Sequence, residues 1–101
     1  MNAVLQVPEP QLSVLCREYH VRRLSLFGSA ARNAAGPQSD IDLLVEFEPG
    51  QSPSLAGFSQ LQDKLAALFG ADKLDLATPS ILRNPYRRKT IVPDLRELYA
   101  A

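Results

Sequence analysis

Asp40 and Asp42 stand two residues apart where a run of mostly strand-forming residues, 41–47, begins. Residues so spaced on a strand project to the same face, with Cα atoms about 6.5–7 Å apart. Two carboxylates held that way cannot both be desolvated without a countercharge, and bound divalent cations supply one. Aspartate is a hard oxygen ligand suited to Mg²⁺ or Mn²⁺, ions that keep several waters and complete their shells with substrate phosphates. Two such ions about 3.5–4 Å apart can clamp the attacking and leaving oxygens of an in-line displacement.

The phosphate for such a site has a candidate cradle upstream. Gly28-Ser29 ends the short apolar run 23–27 and is followed by ten residues before Asp40. Glycine permits close backbone approach to a ligand. The Ala-rich stretch 29–33 reads as a short helix, whose first turn would offer N–H groups and a positive dipole end, with the Ser29 hydroxyl as a further donor. Asp75 sits in Lys73-Leu74-Asp75-Leu76-Ala77, a charge inside an apolar strand. If that strand neighbours the one after Asp40, Asp75 becomes a third carboxylate that ligates metal and takes a proton from an attacking hydroxyl.

Each feature alone also has a purely structural reading. Asp40 suits a turn and Asp42 an exposed strand position. Asp75 suits an edge strand kept soluble by charge, and Gly28-Ser29 is ordinary turn chemistry. Their combination at fixed spacing favours phosphoryl or nucleotidyl transfer.

The elements that must position these residues follow from periodicity. Leu12, Leu15, Cys16 and Tyr19 fall at helical spacing, predicting a helix over 9–20 with proline in its first turn. Residues 23–27 read as a buried strand, 35–39 as a turn, 41–47 as a strand and 48–53 as a loop. Leu55, Phe58, Leu61, Leu65, Leu68 and Phe69 predict a helix over 54–69, stopped by Gly70. Residues 73–77 read as a third strand and 79–82 as a helical turn. Asn84-Pro85 opens a helix reaching about Ile91, and Pro93 breaks it. Residues 95–99 fit either a last strand or a short helix. The β-α-β crossover between the second and third strands suggests a parallel pair. The first pair is open to either direction. The expected fold is α/β, a small mixed sheet with helices mainly on one face.

Composition narrows the class. The 101 residues fit one domain, 1–101, with one modest core. Eleven cations balance eleven acids, so direct nucleic-acid binding is not expected. Cys16 is the one cysteine; it excludes an intrachain disulfide and reads as a core residue in a reducing compartment. No secretory signal and no apolar run of membrane-spanning length is legible, which makes a cytoplasmic protein without membrane contact the expectation. His20 reads as a helix-end cation. Arg83, Arg87, Arg88 and Lys89, with Tyr86 among them, form a basic run. It reads as a solvated helix face or as a patch for an acidic partner or the nucleotide.

Gly28, Ser29, Asp40, Asp42 and Asp75 together resemble the signature of the nucleotidyltransferase superfamily that includes DNA polymerase β. That signature is Gly-Ser, about ten residues, Asp-x-Asp on a strand, and a later Asp on an adjacent strand. The length and the segment Asp40-Ile41-Asp42-Leu43-Leu44-Val45-Glu46-Phe47 look like the minimal nucleotidyltransferases, the antitoxin half of HEPN/MNT toxin–antitoxin pairs. The resemblance implies a polymerase β-like fold and an antitoxin that transfers AMP from ATP to a tyrosine of a HEPN-domain toxin. Gly28 and Ser29 would hold the triphosphate. Asp40, Asp42 and Asp75 would bind Mg²⁺, two ions in all, and serve catalysis. Arg32 matches an arginine common in the short helix and would contact phosphate or brace the Asp loop. Ala30 and Asn33 depart from the Arg and Gly often found there. Two other functions compete: a non-catalytic antitoxin that blocks its toxin by contact, and a small-molecule transferase of the aminoglycoside type. The last normally needs a second domain for its acceptor, which a chain this short is not expected to carry.

Overall fold

A computed structural model describes residues 8–28, 41–71 and 73–101 of the chain. Its elements are α1 (Glu9–Glu18), β1 (Val21–Phe27), β2 (Ile41–Phe47), α2 (Leu55–Phe69), β3 (Leu74–Ala77), a 3-10 turn (Pro79–Arg83), α3 (Pro85–Ile91), a second 3-10 turn (Val92–Asp94) and β4 (Arg96–Ala100). The strands form one sheet in the order β3-β2-β1-β4. β2 runs parallel to β3, whereas β1 is antiparallel to both β2 and β4. This is the small mixed sheet expected of the chain. It settles the open pairing of the first two strands and makes the C-terminal segment a strand.

Alternation along the strands sorts the side chains onto two faces. Leu24 and Leu26 of β1, Ile41, Leu43 and Val45 of β2, and Leu74 of β3 join Leu12 and Cys16 of α1 and Leu61 and Leu65 of α2 in the main core. The two long helices therefore cover one face. On the other face Phe27 and Leu44 pack with Ile91 of α3, flanked by Ala77, Ile81, Leu82 and Leu95. Helical cover thus lies mainly, but not wholly, on one side. The central β2 is apolar on both faces for that reason.

Local chemistry sets the helix ends. The Ser54 hydroxyl accepts from the Gly57 N–H at 3.1 Å and caps α2. Gly70, at φ +65°, closes its far end with two back-bonds, Ala71 N–H to the Ala66 carbonyl and Gly70 N–H to the Ala67 carbonyl. The first helix ends at Glu18, two residues earlier than its periodicity predicts. His20 takes φ +60° in the turn into β1, and its carbonyl accepts from the Glu48 N–H at 2.9 Å. His20 thus sits at the end of α1, as expected, and turns the backbone into β1.

Leu65 is fully buried where α2 meets the sheet. Leu65→Ala is expected to destabilise the protein by about 2–5 kcal/mol, read as a lower urea midpoint at unchanged slope. Cys16 is also fully buried, and burial pushes its thiol from 9.0 up to about 12. Folding therefore favours the protonated thiol. That stabilisation is complete below pH 9 and is lost as pH rises toward 12. A thiol reagent at pH 8 should label Cys16 in denaturant and leave it unmodified in the native protein.

Candidate active site

The site lies where β1 ends and β2 begins. Asp42 is the second residue of β2 and pairs across to Phe27 on β1 and to Asp75 on β3. Leu43 and Val45 point into the main core and Leu44 into the smaller cluster, so Asp42 shares the smaller-cluster face with Leu44. On β3, Asp75 shares that face with Ala77, which pairs with Leu44. The parallel register thus sets Asp42 and Asp75 side by side on one face, with strand axes about 4.8 Å apart. Asp42 is half-buried and Asp75 exposed. β3 is the sheet edge, so the solubility reading of Asp75 also describes where it sits; its register opposite Asp42 is what that reading does not require.

Two hydrogen bonds to backbone carbonyls hold this pair. The Ile41 N–H donates to the Lys73 carbonyl at 3.0 Å, fixing the start of β2 against β3. The Gln62 side-chain amide donates to the Leu74 carbonyl at 3.0 Å, tying α2 to the residue before Asp75.

Gly28 follows Phe27 directly and has φ +78°. A Cβ at this position would lie 2.6 Å from Asp42 Oδ2. The close approach expected of this glycine is therefore made first to a carboxylate of its own chain: the backbone turns tightly past Asp42, in a conformation that only glycine adopts cheaply. Ser29, Arg32 and Asp40 lie outside the described residues, as does the short helix expected over 29–33. Of the six residues singled out by sequence, the structure places Gly28, Asp42 and Asp75, and brings all three together.

The donor set fits a divalent cation in chemistry. Asp42 and Asp75 are hard oxygen donors on one face, and a glycine leaves room for backbone beside them. Among the described residues no group of three or more ligating side chains forms. A complete shell would draw on Asp40, water and substrate phosphate.

The floor of the site escaped the sequence reading. Phe27, Leu44 and Ile91 form an apolar base beside Asp42, with α3 and the preceding 3-10 turn laid against it. The signal was present in β2, whose unbroken apolar run 43–45 leaves neither face for water. A separate open groove of about 760 Å³ between α1 and α2, lined by Val14, Leu15, Lys64 and Leu68, lies beyond the helices on the opposite side of the sheet. It is remote from the carboxylates.

Comparison with known proteins agrees with this geometry. Residues 10–98 match the nucleotidyltransferase domain family. A Methanocaldococcus jannaschii protein bearing the provisional name protein adenylyltransferase is 34% identical over 95 residues, covering 94% of each chain. The protein adenylyltransferase MntA of Thermococcus cleftensis is 40% identical over 70 residues, 69% of this chain and 68% of that one. Among solved structures, one described as a minimal nucleotidyltransferase superposes with TM-score 0.69 at 30% identity, covering 89% of this chain and 88% of the other. A toxin–antitoxin crystal structure with AMP-PNP superposes with TM-score 0.68 at 23% identity over 94% of this chain and 75% of the other. A complex of a tri-AMPylated Shewanella oneidensis HEPN toxin with its MNT antitoxin gives 0.59 at 23% over 92% and 70%. These two show likeness of fold. With glycine, paired carboxylates and sheet order all in place, the chain belongs to the nucleotidyltransferase domain family.

Proposed function

We propose that the protein is an antitoxin-type protein adenylyltransferase that moves AMP from ATP to a tyrosine of a HEPN-domain toxin and so neutralises it. The observation that carries this reading is the register of Asp42 opposite Asp75, with Gly28 packed against the Asp42 carboxylate. The relatives named protein adenylyltransferase and the neighbours solved as toxin–antitoxin complexes support the acceptor class.

The residues divide the work as follows. Gly28 and Ser29 cradle the triphosphate, and Arg32 contacts phosphate or braces the Asp loop. Asp40, Asp42 and Asp75 would hold Mg²⁺, which neutralises phosphate charge when bound. The tyrosine oxygen attacks the α-phosphorus of ATP, and its proton passes to Asp75. The new bond is tyrosyl O–P; the bond from the α-phosphorus to the bridging oxygen breaks, and pyrophosphate leaves.

The test is to incubate the chain and a HEPN-domain partner with ATP and Mg²⁺ and weigh the partner by mass spectrometry. Mass gains in steps of one AMP are expected. An unchanged mass would overturn the transfer reading. Continued neutralisation of the toxin in a growth assay by both Asp40→Ala and Asp42→Ala would then assign the protein to the contact-blocking antitoxins.

A further inference from the structure

The basic run from Arg83 to Lys89 has no task in the site just described, and its placement suggests one. Residues 76–93 contain no aspartate or glutamate, yet carry Arg83, Arg87, Arg88 and Lys89. All four are exposed, and none takes part in an ion pair among the described residues, where the pairs are Arg23–Glu46 and Lys64–Glu18. Tyr86 stands among them, 82% exposed. In a chain with eleven cations and eleven acids, this is a local concentration of positive charge against a neutral whole.

The opposite side of the same segment is anchored. Ile91 is buried against Phe27 and Leu44, with Ile81 and Leu82 beside it. The Asn84 side chain caps α3 by accepting from the Tyr86 and Arg87 N–H groups. The cations are therefore carried on a capped helix and turn that pack on the face bearing Asp42 and Asp75. Leu44, in contact with this segment, is two residues along β2 from Asp42, about 6.5–7 Å. A macromolecule that brings a hydroxyl to those carboxylates passes beside the strip.

We propose that this strip docks an acidic surface of the protein acceptor, setting the acceptor hydroxyl over the Asp42–Asp75 face. Arginine and tyrosine are the residues that most often anchor protein interfaces, and unpaired exposed cations steer an acidic partner before contact. A neutral chain with one short basic strip suits an acidic protein patch better than a nucleic-acid backbone, which demands a broad basic footprint. The proposal rests on the adenylyltransferase reading only for what happens after docking.

The test uses the full chain, wild type and the triple variant Arg87→Glu, Arg88→Glu, Lys89→Glu, which leaves Ile91, Ile81 and Leu82 intact. The probes are a fluorescent peptide with one tyrosine flanked by Glu and Asp, its Gln/Asn counterpart, a 12-nucleotide RNA, and ATP with Mg²⁺. Expected results are preference for the acidic peptide, loss of that binding with added salt, and at least tenfold weaker peptide binding by the triple variant with ATP affinity and circular dichroism unchanged. Equal binding of both peptides, tighter binding of RNA than of the acidic peptide, or a parallel loss of ATP affinity would each overturn the proposal; the last would assign the strip to the triphosphate. Asp42→Asn separates the two readings. Retained peptide binding without AMP transfer supports docking and chemistry as distinct functions. Peptide binding by a wild-type chain that transfers no AMP to any acceptor would leave the docking surface standing and sink the enzymatic reading alone.

Discussion

Asp42→Asn should lower AMP transfer by roughly 100-fold or more while leaving the fold intact. The substitution keeps the side chain's shape and one acceptor oxygen, so the packing of Gly28 against it and the pairing with β1 and β3 persist. What disappears is the negative charge that faces the same side as Asp75. A cation held between carboxylates and phosphate would lose a full-charge ligand, and the transition state part of its electrostatic support. The measurement is the initial rate of labelled AMP incorporation into the partner protein, with circular dichroism as the fold control. Transfer within a factor of three of wild type would remove Asp42 from the machinery. Asp75→Asn serves as companion, since its exposed position on the edge strand makes a folding defect there small.

The second large effect is expected at Gly28. Alanine there meets two costs. A non-glycine residue held at φ +78° pays of order 1–2 kcal/mol. Its Cβ would also arrive 2.6 Å from Asp42 Oδ2, so the carboxylate or the turn must shift by several tenths of an ångström or more. Displacement on that scale at a reacting centre is expensive, up to about 100-fold in rate for 1 Å. Gly28→Ala should therefore lower thermal stability and cut AMP transfer by roughly 10- to 100-fold. Gly70→Ala is the matched control, because Gly70 also has positive φ, +65°, but a Cβ there meets nothing within 4 Å. It should lose stability alone. Equal loss of activity in both variants would show that the Gly28 effect is general strain rather than pressure on the Asp42 carboxylate.

Much of the molecule was legible before any tertiary contact was known, for identifiable reasons. The helix over 54–69 declared itself through six apolar residues at helical spacing and a terminal glycine, signals that act within a few residues of themselves. β2 matched its expected bounds because strand-forming side chains crowd 41–47. The His20 turn escaped because helical periodicity runs on through Tyr19, and only a left-handed backbone at the next residue stops it. Residues 95–99 were undecidable because five residues of mixed polarity have no period of their own. They became β4 when the exposed edge of β1 offered them a ladder.

For the site, the division follows the reach of the forces involved. Sequence alone determined which acids and which glycine stand at fixed spacing, and that Asp42 lies on a strand; these are local properties of chain geometry. Tertiary structure decided that Asp75 lies opposite Asp42 rather than one residue out of step, a slip that would have turned it to the helix-covered face. It also decided that Gly28 wraps the Asp42 carboxylate, and that Ile91 carries a basic helix to the same face. Each of these joins residues 14 to 49 positions apart in the chain (28 with 42, 42 with 75, 91 with 42). Such pairings are selected by which apolar faces bury one another most completely, and no spacing within a single segment records that choice.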